Sequence, residues 1–133
     1  MTGAIELRIP NEPPFHGVAR LVVGGLAARH SLSYEALEDL QLALVSVLEG
    51  DGFTAAEDVC VEMEVSDDAI AMTIGPLHGD VVRAELESSG EELGLGRLLA
   101  TLVEEAGVEG REDGDWLRLS KRVRGIKPAG ANA

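Results

Sequence analysis

Two neighbouring runs of alternating residues set the tightest limit on what this chain can fold into. Val59, Val61, Met63 and Val65 alternate with Cys60, Glu62 and Glu64, and Ile70, Met72 and Ile74 resume the pattern after Ser66-Asp67-Asp68. Alternation gives a strand one apolar and one wet face, and a tight turn between two such strands makes them antiparallel neighbours. A sheet built this way must bury its apolar face against a second layer while the other face meets water.

The flanking segments supply that layer. Ile5, Leu7 and Ile9 alternate with Glu6 and Arg8 in a first strand ended by Pro10, and Asn11-Glu12-Pro13-Pro14 is a turn. Over residues 15–29, Val18, Leu21, Val22, Gly25 and Leu26 recur at helical spacing, although Gly24-Gly25 would weaken an isolated helix by about 1 kcal/mol per glycine. Ser33 offers the N-cap of a second helix reaching Glu49, with Leu37, Leu40, Leu44, Val47 and Leu48 as its buried stripe. Gly50-Asp51-Gly52 stops it. Residues 77–92 are polar without clear periodicity, whereas Leu95, Leu98, Leu99, Leu102 and Val103 predict a helix over 94–105. Val108 opens a strand, 111–115 turn, and Trp116-Leu117-Arg118-Leu119 closes the order β-α-α-β-β-α-β-β. The expected fold class is α+β, a two-layer sandwich whose mixed, mostly antiparallel sheet carries its helices on one face. One domain over 1–124 and a flexible tail over 125–133 complete the reading.

Charge narrows the partners. Eleven Lys and Arg stand against 24 Asp and Glu, a net charge of −13. Such a surface repels phosphate backbones and anionic headgroups, so neither nucleic acid nor membrane is an expected partner. Arg118, Lys121, Arg122, Arg124 and Lys127 crowd the C-terminus and read as a solvated strand end and tail. Aromatics are too few for a base-stacking platform. Cys60, the lone cysteine, excludes an intrachain disulfide and reads as a small buried hydrophobe. The N-terminus lacks a basic and apolar leader pattern, and no apolar stretch approaches the ~20 residues of a membrane span, so a cytoplasmic location is expected. His16, His30 and His78 match no zinc-ligand spacing.

Ile5-Glu6-Leu7-Arg8-Ile9-Pro10, Gly17-Val18-Ala19-Arg20-Leu21 and Ser33-Tyr34-Glu35-Ala36-Leu37-Glu38-Asp39-Leu40, taken in order, resemble the opening of the serine-kinase anti-sigma factors, members of the GHKL superfamily. Gly94-Leu95-Gly96-Arg97-Leu98-Leu99 resembles that family's glycine box, and Trp116-Leu117-Arg118-Leu119-Ser120-Lys121-Arg122 its closing strand. The likeness runs over residues 5–123 and implies the histidine-kinase-like ATPase fold. It also implies three chemical sites. A helix should carry a Glu as base and, four residues on, an Asn for the magnesium ion, a spacing that puts both on one helix face. Those positions fall on Ser46 and Gly50, and neither side chain can do the work. Glu49 lies one residue away, roughly 100° around the helix, and reads as a solvated helix end. The Asp that reads adenine falls on Ile74 or Gly75, with Asp80 too far downstream to replace it. Gly94, Leu95, Gly96 and Arg97 retain the form of a phosphate cradle at a helix N-terminus, a form that close helix packing also explains.

The resemblance therefore implies a regulator without catalytic residues or metal, binding a sigma factor or an anti-sigma antagonist, with dimerisation common in such families and no cofactor needed. The alternative is a divergent ATP-binding serine kinase. A third reading keeps the old nucleotide cavity, lined by Ile74, Leu77 and Ser46, for another small ligand. Trp116 and Arg118, sharing a strand face with Ser120, offer a partner surface, and Trp116 serves equally well as a cover for a bare sheet.

Overall fold

The register of the central hairpin carries the alternation straight into space. In a computed structural model, which describes residues 3–29, 32–50, 52–66, 68–87 and 94–122, β2 (Asp58–Val65) pairs antiparallel with β3 (Ala69–Leu77). Val61 lies opposite Ile74, Met63 opposite Met72 and Val65 opposite Ile70, so every apolar position faces one side. β1 (Gly3–Pro10) extends that side with Leu7 opposite Val61 and Ile9 opposite Val59. β5 (Gly114–Arg122) extends it on the other flank, with Leu117 opposite Ile74 and Leu119 opposite Met72, and β4 (Glu105–Arg111) closes the edge. The strand order is β1-β2-β3-β5-β4. Each pair is antiparallel, so the expected mixed sheet is instead wholly antiparallel, because β4 joins by a hairpin to β5 and no parallel crossover arises.

Four helices cover the apolar side: α1 (Pro13–Arg29), α2 (Tyr34–Leu48), α3 (Gly79–Glu87) and α4 (Leu95–Leu102). Leu40, Leu44 and Val47 of α2 and Leu99 of α4 join Val61, Met72, Ile74, Leu117 and Leu119 in one core. Each such side chain gains roughly 1.5–3 kcal/mol from burial. The expected stripe of α2 is present, save that Leu37 is only half-buried, and Ser33 caps the helix by accepting the Ala36 N–H at 3.0 Å. Lys121, expected on a solvated strand end, instead reaches across the layers to Asp39 at 3.0 Å.

Three expectations need correction. α3 forms within the polar stretch, turning in only Val82, fully buried, and Leu86, too few apolar positions to show a period. α4 ends at Leu102 and β4 begins at Glu105, earlier than expected, because the β4–β5 pairing extends to Glu105 opposite Ser120. α1 buries Leu26 as expected and packs Val22 half-buried on the core, but it also buries His16, Ala19, Val23 and Ala27 and leaves Val18 and Leu21 42% and 76% exposed. Ala19 and Ala27 pack beside Val23 and Leu26 on the buried face, while Val18 and Leu21 stay outside. His16 is buried, with Nε2 at 2.8 Å from Asn11 Oδ1. Residues 88–93 and the expected tail lie outside the described residues, and among the described residues no helix is long and apolar enough to cross a membrane.

On the wet side, Gly75 of β3 has no Cβ because the Trp116 ring occupies that space. We expect Gly75→Ala to destabilise the fold by about 1–3 kcal/mol through overpacking against the ring, measured as a lower urea midpoint with unchanged m by circular dichroism.

Candidate functional site

Where α2 ends, its last turn, the following loop, α3 and α4 leave an open cleft of ≈ 360 Å³. Ser46, Glu49 and Gly50 line it from α2 and its C-cap, Phe53 from the loop, Glu85 from α3, and Leu95 and Leu98 from α4. The cleft thus gathers both positions assigned to the base and the metal ligand, together with part of the glycine box. It also takes in Glu49, which the sequence placed away on a solvated helix end. Glu49 is exposed at the C-cap, where its backbone is still in the helical region and its N–H donates to the Val45 carbonyl at 2.9 Å.

Gly50, where the resemblance implied a metal ligand, leaves no room for a side chain. A Cβ at Gly50 would overlap the Phe53 ring, which is buried against it. Ile74 and Gly75, where the resemblance implied the adenine-reading Asp, are also packed in. Ile74 is fully buried in the core, and Gly75 turns to the opposite sheet face beneath Trp116. Asp80 stands at the start of α3, solvent-exposed and 3.7 Å from Arg83, outside the described lining of the cleft. Ile74 and Leu77, expected to line the cavity, are core residues instead.

At the glycine box, Gly94 is the N-cap of α4 at φ −69, a conformation open to any residue. Gly96 is the constrained one, since a Cβ there would overlap the Leu86 carbonyl oxygen of α3. Close packing of two helices accounts for it. Leu95 is buried and Arg97 exposed.

The wet face carries a second cluster. Trp116, expected as an exposed anchor for a partner, is 4% exposed, which corrects that expectation. It is stacked between Gly75 and the Arg111 guanidinium, whose carbon lies 4.2 Å from the ring centroid, and its indole N–H donates to Asp113 at 2.8 Å. Arg111 donates to both Glu62 oxygens at 2.9 and 3.0 Å and to Glu109 at 2.7 Å. Those bonds hold its guanidinium charged more firmly than usual, against the opposing effect of burial. Arg118 is exposed and only 3.7 Å from Glu64, a pair of little energetic weight. Glu6, Cys60 and Glu62 bring potential ligand atoms within 4.8 Å of one another, but Arg111 already uses both Glu62 oxygens. Burial first, then the neighbouring Glu6 and Glu62 carboxylates, push the Cys60 thiol up to about 11.

What the sequence reading missed is the outer face of α1. Val18 and Leu21 share a helix face at i, i+3 spacing and are both exposed. The signal was there: apolar residues surround this helix more fully than one buried stripe requires.

This five-stranded antiparallel sheet with helices on one side is a GHKL-type fold. No family model matches the chain. The serine-protein kinase RsbW of Halalkalibacterium halodurans is 31% identical over 129 residues, covering 82% of this chain and 76% of that protein. The one from Listeria monocytogenes serotype 4a is 27% identical over 118 residues, covering 78% and 75%. A 40-residue stretch is 48% identical to that of Oceanobacillus iheyensis, spanning 30% of this chain and 25% of the relative. The crystal structure of the RsbU and RsbW domains of Rv1364c from Mycobacterium tuberculosis has the same fold, with a TM-score of 0.66 and 14% identity over 91% of this chain and 32% of that one. The chain belongs to the serine-protein kinase RsbW family.

Cys60 yields a pH prediction. Its folded pKa exceeds the ordinary 9.0, so its contribution to stability is complete below pH 9 and declines as pH rises from 9 toward 11. Urea midpoints between pH 8 and 11 should fall less in Cys60→Ala than in the parent protein.

Proposed function

We propose that this chain is a non-catalytic regulator that binds a protein partner, a sigma factor or an anti-sigma antagonist, through the surface of its helical layer. The observation that carries the reading is the Phe53 ring packed on Gly50, where phosphotransfer in this fold requires a magnesium ligand. Ser46 as base and Ile74 as adenine reader are further departures in the same direction. Holding a partner needs surface rather than chemistry, and α1 offers an exposed apolar face at Val18 and Leu21. Large apolar side chains at an exposed helix face are the raw material of a buried interface core. The net charge of −13 favours a partner with a basic surface.

One observation favours the divergent kinase instead. Glu49 borders the cleft beside Ser46, where it supplies the carboxylate that Ser46 lacks. Calorimetric titration with ATP and ADP, in magnesium and then in EDTA, separates the two. We expect no heat at millimolar nucleotide; micromolar, magnesium-dependent binding would hand the case to the kinase. For the binding surface, Leu21→Asp should leave the melting temperature nearly unchanged, since the residue is 76% exposed, and weaken capture of the native partner by about tenfold or more. Unchanged capture would move the interface elsewhere.

A further inference from the structure

We propose that Glu6, Cys60 and Glu62, on the wet face of the sheet, hold a divalent ion of the zinc class that clips the edge strand β1 to β2. The site lies on the other side of the sheet from the cleft and the helical layer, and it does not rest on the proposed function.

The strand register builds it. Glu6 of β1 lies directly opposite Glu62 of β2, and Cys60 stands two residues from Glu62 on the same face. Directly opposite side chains are about 4.5–5.5 Å apart at Cβ, and one ligand atom from each of the three residues lies within 4.8 Å of the other two. Like charges placed directly opposite each other are destabilising, and a cation between them removes the penalty. Among the described residues neither Glu6 nor Arg8, which lies opposite Cys60, is in an ion pair.

Cys60 separates this place from an ordinary acidic patch. Its thiol is only 3% exposed, and Sγ is aimed at the two carboxylates rather than into the core. A zinc-class ion takes the place of the thiol proton: the S–H bond breaks, a metal–sulfur bond forms and the proton leaves to water. One thiolate with carboxylate oxygens suits zinc or cobalt and disfavours magnesium and calcium, which take oxygen ligands.

Arg111 supports the site without filling it. β1 flanks β2 on one side and β3, β5 and β4 lie on the other, so Arg111 reaches Glu62 from the side away from Glu6. Its two bonds take one lone pair from each Glu62 oxygen, and a carboxylate has about four such acceptor sites. Ligating carboxylates are held in place by outer hydrogen bonds of this kind. Metal bonds of about 2.3 Å to sulfur and 2.0–2.2 Å to oxygen bring the ligand atoms to roughly 3.3–3.7 Å from one another. The exposed Glu6 supplies that closing through a rotamer change, and water completes the coordination.

Cobalt(II) is the probe, because a bond to thiolate gives it a near-ultraviolet charge-transfer band that cobalt held by carboxylates alone lacks. The chain's many other acidic residues therefore do not contribute to the signal. Titration of the reduced full chain should give a saturable band that zinc bleaches, and zinc should raise the melting temperature. Cys60→Ala should abolish the band. Glu6→Gln, an exposed and isosteric exchange that keeps the thiol, should weaken binding about tenfold or more and carries the test alone if Cys60→Ala unfolds. No charge-transfer band at millimolar cobalt, or a band whose affinity is unchanged in Glu6→Gln, overturns the proposal.

Discussion

Everything in this molecule follows from a sheet that is dry on one side only. Val61, Met63, Met72, Ile74, Leu117 and Leu119 come to one face through the registers of three antiparallel strands, and each is 0–1% exposed. Water must be kept from that face, and the helices exist to do it. α2 contributes most through Leu40, Leu44, Val47 and Leu48, while α1 packs through Ala19, Val23, Leu26 and Ala27 and α3 adds little beyond Val82. The cleft is a by-product of the same arrangement: it opens where α2 stops and α4 has yet to begin.

Packing sets the surroundings of the positions at which the sequence resemblance implied chemistry. Gly50 is the floor for an aromatic ring, Ile74 is core, Gly75 is the seat of an indole, and Gly96 is the point where two helices touch. At Gly50, Gly75 and Gly96 the space a Cβ would need is held by a neighbour. A larger side chain at any of these three glycines would therefore require displacing its neighbour. The cleft between the helices is bordered by Glu49 at the end of α2 and Glu85 of α3.

The strands and α2 were legible because their signals are local: period-two alternation, and a serine cap followed by a leucine stripe. The face of α1 was not, since an apolar residue lies on nearly every side of it and only packing against α2 and β1 chooses among them. Trp116 was misplaced for a different reason. Alternation correctly put it on the polar face, but the glycine beneath it comes from β3 and the arginine above it from the end of β4, and no pattern along the chain joins those three. Ser46 and Gly50 at the end of α2 were legible in sequence, whereas the Phe53 ring against Gly50 and the place of Glu49 at the cleft depend on how the chain leaves α2.

Trp116 is the chain's one tryptophan, and it sits on the opposite sheet face from the cleft, held between a glycine backbone and a guanidinium with its N–H on Asp113. Its emission is thus an optical gauge of how β3, β4 and β5 stay together. Events in the helical layer can pass unseen by it, so a silent tryptophan signal says nothing about an empty cleft.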